Sequence, residues 1–220
     1  MTWLLCGLLL LLPATAHAGV NALHAPAREA GVLDTQTGIW LLAEGIDTPV
    51  PVASLTKLAA ALTFLRLKPN FDEPVTIREE DWLQAGKTRL RPGDRVLPET
   101  LLELTLISSD NCAARSLCRP SGLTREQFAY QMEATAAALG CRQTRFTEPS
   151  GLDAGNVSTV REVALLFLAA LEQPNLRRIL GRNGFTLETP RGPRSMVHTS
   201  RFLRARGDVI AAQTGEIDGA

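Results

Sequence analysis

Strand-like segments near both ends of the chain enclose a block of helical patterns, and this order constrains the fold more than any other feature. Residues 31–33 and 39–42 are apolar runs joined by a turn that contains Gly38, a pattern typical of a β-hairpin. The apolar run at residues 209–212 predicts a further strand near the end. Strands, helices and strands in succession predict an α/β fold, in which an all-helical subdomain is inserted into an antiparallel sheet subdomain.

Four segments in the middle of the chain carry helical signals. Leucines at helical spacing predict a central, strongly apolar helix over residues 54–67. A second helix is predicted over residues 99–107, and Thr124 and Thr159 each begin a capping-box sequence that opens a further helix. Residues 70–94 are rich in proline, glycine and charged side chains, and we expect them to be irregular.

The first 18 residues contain no charged side chain and include an apolar run from residue 3 to residue 12. Such a run is too short to span a bilayer, which takes about twenty residues. Ala16-His17-Ala18 has the small-x-small form of a signal-peptidase site. We therefore expect a signal peptide at residues 1–18, export, and a mature domain over residues 19–220 without a transmembrane helix. The alternative is an uncleaved membrane anchor.

Charge, histidine and cysteine content argue against several classes of function. Lys plus Arg and Asp plus Glu balance at 23 each, so the basic excess typical of nucleic-acid-binding proteins is missing. No metal-binding motif occurs, and we expect no cofactor, no metal site and no Ser-His-Asp triad. Three cysteines follow the predicted cleavage site, and both a disulfide and buried free thiols remain open for them: Cys112, Cys118 and Cys141.

A candidate nucleophile and its base stand at the start of the predicted central helix. Ser54 and Lys57 are three residues apart, so they share one helix face at a separation of about 5–6 Å. A serine hydroxyl is a weak nucleophile that needs an adjacent base. A lysine can serve when burial lowers its pKa toward neutrality. The same pattern is also compatible with a surface lysine on a capped helix.

Two polar segments farther along the chain can complete a site. Residues 109–111, Ser-Asp-Asn, follow the predicted helix over residues 99–107 and can project a hydroxyl and an amide into one cleft. Residues 213–215, Gln-Thr-Gly, follow the apolar run and combine a hydroxyl with a glycine that allows close backbone approach. An ordinary helix-ending turn and an edge strand that runs into a turn are the respective alternatives.

The three motifs, in this order, resemble the active-site set of class A β-lactamases and penicillin-binding proteins. Residues 51–57 look like the nucleophile segment of low-molecular-mass penicillin-binding proteins, and several later segments are similar to their D,D-endopeptidase branch: residues 88–91, 106–111, 139–141, 144–152 and 156–159. The resemblance covers about residues 30–220 and implies the β-lactamase/D,D-peptidase-like fold. No Glu-x-x-Leu-Asn segment of the β-lactamase type occurs, which favours a D,D-peptidase over an antibiotic hydrolase.

The resemblance implies a role for each motif residue. Ser54 would be acylated by the penultimate D-Ala carbonyl of a peptidoglycan stem peptide, and Lys57 would take its proton. Ser109 would relay a proton to the leaving amine, and Asn111 would hold the substrate amide. The backbone N–H groups of Ser54 and Glu216 would form the oxyanion hole.

The third motif departs from the family pattern at its first residue. The family has a lysine, or occasionally a histidine, where this chain has Gln213. Thr214, which precedes Gly215, would bind the terminal carboxylate or lie beside it. A neutral amide neither attracts the carboxylate by charge nor lowers the pKa of the base. Losing a charged hydrogen bond costs roughly 1.5–3 kcal/mol, which corresponds to a rate about ten- to 160-fold lower.

The resemblance also implies partners, a location and an incomplete sheet. Peptidoglycan stem peptides would be the substrates and β-lactam antibiotics covalent inhibitors, in the periplasm. In the family, further sheet strands and a C-terminal helix follow the third motif, whereas this sequence stops five residues after Gly215. We therefore expect the last strands of the sheet to be missing. Three hypotheses follow: an active D,D-endopeptidase or carboxypeptidase, a peptidoglycan-binding protein without catalysis, and a fragment that does not fold stably.

Overall fold

A computed structural model describes residues 27–86 and 88–216, and the predicted signal peptide lies outside them. The α/β architecture expected from the sequence is confirmed. The helices are α1 (Thr56–Arg66), α2 (Glu79–Trp82), α3 (Pro98–Ile107), α4 (Asn111–Ser116), α5 (Arg125–Ala138), α6 (Val160–Glu172), α7 (Pro174–Leu180) and α8 (Arg201–Ala205). The strands are β1 (Ala30–Leu33), β2 (Trp40–Glu44), β3 (Val50–Pro51), β4 (Val75–Thr76), β5 (Arg95–Val96), β6 (Val157–Ser158), β7 (Gly184–Leu187) and β8 (Arg194–Val197).

Helix α1 lies at the centre of the hydrophobic core, as its leucine spacing predicts. Its first nine residues are buried, and it packs against α3, α5 and α6. Full burial of a leucine or phenylalanine side chain contributes about 1.5–3 kcal/mol, so Leu58 and Phe64 tie α1 to the rest of the core. The residues at the start of α1 are therefore held on a rigid element.

The two predicted capping boxes differ. At the start of α5 the box is complete, because Thr124 and Gln127 exchange both hydrogen bonds. At the start of α6, Thr159 Oγ1 accepts from the Glu162 N–H, but the Glu162 carboxylate instead accepts from the backbone N–H groups of Arg142 and Gln143. The second box is therefore only half formed, because the buried Glu162 carboxylate serves the loop that follows α5.

The strands form four two-stranded ladders rather than one continuous sheet among the described residues. The predicted hairpin is confirmed as β1 and β2, which pair antiparallel around a turn with Gly38 at a φ of +73°. Residues 70–94 are more regular than expected, since they contain α2 and also β4, which pairs with β5. The chain after residue 181 forms the β7–β8 hairpin.

The strand predicted at residues 209–212 is not formed. This segment has no regular secondary structure, and its backbone is bonded at Ala212, whose N–H donates to the Leu180 carbonyl at 3.1 Å and whose carbonyl oxygen lies 3.1 Å from His198 Nε2. A strand needs a neighbour that satisfies its backbone groups along a ladder. Within the described ranges no strand lies beside this segment, so its apolar composition alone does not produce one.

The described cysteines are free thiols. Cys112, Cys118 and Cys141 are all buried, which confirms the alternative of small apolar side chains over a disulfide. In the part of the chain that the structure covers, no helix has the length and apolar character needed to cross a membrane.

Candidate active site

The turn that carries Ser54 is fixed by an unusual backbone contact. Residues Ala53–Leu55 form a single 3₁₀ turn that leads directly into α1, and Ala53 has a φ of +48°. Such a left-handed conformation is strained for a residue with a side chain. Gly151 crosses this turn so closely that a Cβ on it would come within 2.0 Å of the Ala53 carbonyl oxygen. Only glycine fits there, and the crossing holds Ser54 in place.

Lys57 is fully buried and joins three parts of the chain through its amine. The Nζ atom lies 2.7 Å from Ser54 Oγ, 2.7 Å from Asn111 Oδ1 and 2.5 Å from the Ser150 carbonyl oxygen. The structure thus brings together the first two sequence motifs, as the family resemblance implies. It excludes the alternative of a surface lysine.

The surroundings of the Lys57 amine set its protonation. Burial lowers the pKa of Lys57 from its usual value to about 7, although the negative charges of Glu148 and Asp110 act in the opposite direction. The positive charge of Arg115 assists the lowering. Near neutral pH the amine therefore exists in both its neutral and its charged form.

The second motif is a rigid turn between α3 and α4. Asp110 caps α4, because its Oδ1 accepts from the Ala113 N–H at 3.0 Å and its Oδ2 accepts from Thr88 Oγ1 at 2.7 Å. The Asn111 Nδ2 donates to the Ala85 carbonyl at 3.0 Å. This bond identifies the nitrogen of the amide, so the oxygen of Asn111 is the atom that faces Lys57.

Ser109 is the least constrained residue of this turn. It adopts a φ of +55° and is half-buried. The structure does not link its hydroxyl to Lys57, and among the described residues this hydroxyl has no hydrogen-bond partner. The strained backbone presents Ser109 beside Asp110 and Asn111 without locking its side chain.

A loop that sequence reasoning did not assign to the site positions the Ser150 carbonyl. The Glu148 carboxylate accepts from the backbone N–H groups of Ser150 at 2.8 Å and Leu152 at 2.9 Å, and from Asn156 Nδ2 at 2.9 Å. It also accepts from the Gly151 N–H at 2.5 Å. The sequence offered one signal for this loop, the resemblance of its Glu-Pro-Ser-Gly-Leu segment to the family. That resemblance does not show that a backbone carbonyl of the loop contacts Lys57.

The third motif lies against the turn of the nucleophile. A Cβ on Gly215 would come within 3.3 Å of the Ser54 nitrogen, so these two backbones are in contact. Gln213 is buried, and its Nε2 reaches the carbonyl oxygens of Ser54 at 3.4 Å and Thr214 at 3.3 Å, while its Oε1 has no partner in the described part of the chain. The Gln213 side chain therefore contacts the backbone of the turn that carries Ser54.

Two residues of this segment remain accessible. Thr214 is half-buried, and its Oγ1 donates to Thr199 Oγ1 at 2.6 Å. Thr199 is itself held by a hydrogen bond from its N–H to the Ile107 carbonyl at 3.0 Å, although the sequence did not indicate it as a site residue. Glu216 is exposed at the end of the described segment.

Comparisons with known proteins give one consistent family. A family model described as D-alanyl-D-alanine carboxypeptidase matches residues 16–219. The D-alanyl-D-alanine endopeptidase of Pseudomonas aeruginosa is 38% identical over 147 residues, which are 66% of this chain and 47% of that protein. The Escherichia coli D-alanyl-D-alanine endopeptidase is 34% identical over 149 residues, with coverages of 66% and 47%. For both of these relatives the match spans about half of their length.

Solved structures agree with the fold. A D-alanyl-D-alanine carboxypeptidase from Mycobacterium tuberculosis superposes with a TM-score of 0.82 at 27% identity, over 89% of this chain and 75% of that one. A Streptomyces DD-transpeptidase superposes with a TM-score of 0.73 at 27% identity, over 82% and 76% of the two chains. The architecture is therefore that of the penicillin-binding D,D-peptidases.

Proposed function

Because the chain belongs to the D-alanyl-D-alanine carboxypeptidase family, we propose that it is a serine D,D-peptidase of peptidoglycan. Its reaction is hydrolysis of D-Ala-containing peptide bonds in stem peptides, either at a terminal D-Ala or at a cross-link, through an acyl-enzyme on Ser54. Activity, substrate and partners are all part of this proposal, since the chain matches only about half of its curated relatives' length.

One observation carries the proposal: a buried amine with a pKa of about 7 lies 2.7 Å from a serine hydroxyl. A neutral amine has two N–H groups and one lone pair. The Asn111 amide oxygen and the Ser150 carbonyl can accept both N–H groups, so the lone pair is directed at Ser54 Oγ. A general base whose pKa is close to the working pH is effective at proton transfer.

Acylation uses this arrangement directly. Ser54 Oγ forms a bond to the carbonyl carbon of the substrate as its proton passes to Lys57 Nζ. The C–N bond then breaks, and the leaving amine takes up a proton, for which the unpaired hydroxyl of Ser109 is the proposed relay. A water molecule later hydrolyses the ester and releases Ser54. No cofactor and no metal ion enter these steps.

Backbone N–H groups are the proposed donors that stabilise the negative charge on the substrate oxygen. Ser54 stands in the first turn of a helical segment, where N–H groups have no intrahelical acceptor. The contact between Gly215 and the Ser54 nitrogen supports the assignment of the Glu216 N–H as the second donor. Asn111 Nδ2 carries two N–H groups, of which Ala85 takes one, so the other is available to the substrate amide.

Thr214 is the residue proposed to bind the substrate carboxylate. With Gln213 buried and uncharged, the hydroxyl pair of Thr214 and Thr199 is the polar surface that the third motif presents. Hydroxyl groups bind a carboxylate more weakly than a cation does. We therefore expect slow acylation compared with relatives that have a lysine at this position.

A fluorescent penicillin tests the proposal, since acylation at Ser54 labels the protein covalently. Purified wild-type protein should become labelled, and Ser54→Ala should not. Labelling of Ser54→Ala at the wild-type rate would show that the nucleophile is assigned wrongly.

The uncharged Gln213 and its unpartnered Oε1 favour one second candidate, a peptidoglycan-binding protein without catalysis. Such a protein would resist labelling but would melt at a higher temperature in the presence of muropeptides. For either function we propose export to the periplasm with the signal peptide at residues 1–18 removed.

A further inference from the structure

Arg115 lies one helical turn after Asn111 on the same face of α4. Its Nη1 donates to the Leu83 carbonyl at 2.7 Å, and Asn111 Nδ2 donates to the Ala85 carbonyl at 3.0 Å. Two side chains of one helix thus hold one short backbone segment, whose middle residue, Gln84, has a φ of +55°. Asn111 is also the direct neighbour of the Lys57 amine, so Arg115 stands immediately behind the site.

The guanidinium of Arg115 is an unusual buried cation. The residue is 9% exposed, and among the described residues it forms no ion pair, while its Nε has no hydrogen-bond partner. Asp81, the buried acidic residue of the neighbouring helix α2, is already paired with Arg119 at 2.9 Å. A buried charge without a counter-ion is costly. Its stability contribution therefore does not explain why arginine occupies this position.

The charges around Lys57 supply a reason. Glu148 of the Ser150 loop and Asp110 of the turn before α4 both favour a protonated amine, and Arg115 is the cation that opposes them. On the opposite side of Ser54, Gln213 brings no charge. Removal of Arg115 would leave the effect of these two carboxylates on the amine less well opposed.

We propose that Arg115 is a positioning residue of this active site, which anchors residues 83–85 beside Asn111 and supplies a fixed positive charge that, in addition to burial, favours the neutral form of the Lys57 amine. Arg115 thereby takes over an electrostatic task that the uncharged Gln213 does not perform. The inference rests on the proposed function, since it concerns the base of the same reaction.

Two substitutions separate the anchoring from the charge. Arg115→Lys keeps the charge and shortens the anchor, whereas Arg115→Gln keeps a donor for the Leu83 carbonyl and removes the charge. The readout is the pH dependence of the rate of labelling by a fluorescent penicillin. In the wild-type protein the rate should fall as the pH drops below about 7, where Lys57 becomes protonated. Arg178→Gln, an exposed residue paired with Glu99 and Glu103, is the control for net charge.

In Arg115→Gln, we expect the midpoint of the pH dependence of the labelling rate to rise by roughly half to one pH unit, because removal of a nearby cation stabilises the protonated amine. On the acidic side its rate should therefore be about three- to tenfold below that of the wild type. Arg115→Lys should keep the wild-type midpoint even if its rate is lower, and Arg178→Gln should match the wild type.

An unchanged midpoint in Arg115→Gln, or the same rise in Arg115→Lys, would overturn the inference. If Arg115→Gln does not unfold cooperatively, Arg115→Met is the second neutral variant, since apolar side chains of similar length often replace buried charges well. A wild-type protein that is not labelled at any pH would instead overturn the proposed function.

Discussion

The two sides of the site around Ser54 are built very differently. The helical wall consists of Lys57, Asn111 and the Ser150 carbonyl, and the other wall consists of the segment from Gln213 to Glu216. On the helical wall, Lys57 has three short contacts, to Ser54, Asn111 and the Ser150 carbonyl. The turn before Asn111 and the loop of Ser150 are themselves fixed by hydrogen bonds of Asp110 and Glu148. On the other wall, the segment from Gln213 to Glu216 is held by one short hydroxyl pair and by one long bond of 3.4 Å from Gln213 to the Ser54 carbonyl, while a further bond of 3.3 Å lies within the segment. The residues of the proposed proton transfer are therefore preorganised, whereas the wall proposed to bind the substrate is only loosely fixed.

The first test of this difference between the two walls removes the proposed base, Lys57. Lys57→Met keeps the length and burial of the side chain but has no amine, and a general base contributes about 10²–10⁴-fold to a rate. We expect labelling by a fluorescent penicillin to slow by that factor, with cooperative unfolding retained. Lys68→Met, at an exposed lysine, should label like the wild type. A labelling rate of Lys57→Met within tenfold of the wild-type rate would show that Lys57 is not the base.

A second test concerns the rigidity of the helical wall. Gly151 and Gly140 have nearly equal φ angles, +86° and +89°, but only a Cβ on Gly151 would meet another atom, the Ala53 carbonyl oxygen at 2.0 Å. Gly140→Ala should lose about 1 kcal/mol from backbone strain alone. Gly151→Ala should lose about 3 kcal/mol or more, because the clash adds to the strain. Denaturant unfolding measures both, and equal losses would contradict the proposed support of the nucleophile turn.

A third test strengthens the other wall. Gln213→Lys introduces a cation beside Ser54, which should attract the substrate carboxylate and also favour the neutral form of Lys57. We expect penicillin labelling about tenfold faster than in the wild type, at the low end of the range for a charged hydrogen bond. Gln143→Lys makes the same charge change at an exposed position and should have no effect. Equal or slower labelling of Gln213→Lys would mean that the missing positive charge at this position does not limit the labelling rate.

The smallest effect is expected at the hydroxyl pair. Thr199→Val removes the partner of Thr214 while it keeps the shape of the side chain. A neutral hydrogen bond contributes about 0.5–1.5 kcal/mol, so labelling should slow by about two- to tenfold. Thr186→Val, on the exposed side of β7, is the matched control. An unchanged rate in Thr199→Val would exclude this pair from carboxylate binding.

The sequence predicted the helical wall better than the other one. Ser54 and Lys57 lie on one helix, so a spacing of three residues sufficed to place them side by side. The Ser-Asp-Asn turn was predictable because a helix with a clear apolar pattern ends just before it. In both cases the geometry is set within a few residues.

Other parts of the site depend on contacts between distant segments. The Ser150 carbonyl reaches Lys57 from 93 positions away, and a backbone carbonyl leaves no mark in the residue type. Arg115 was not predicted as a site residue, because its burial depends on the distant segments that pack around it. The strand expected at residues 209–212 failed for the same reason, because pairing depends on a neighbour that composition does not reveal.

The protonation of Lys57 is the most direct test of the proposed mechanism, and this chain is well suited to it. The sequence has only three lysines, Lys57, Lys68 and Lys87, so carbon-13 labelling of the lysine side chains gives three signals to follow by NMR across a pH titration. Lys57→Met assigns the signal of interest. The mechanism predicts that this signal titrates near pH 7, as burial of the amine requires. Titration of all three lysines at the ordinary value, near 10.4 in water, would contradict it.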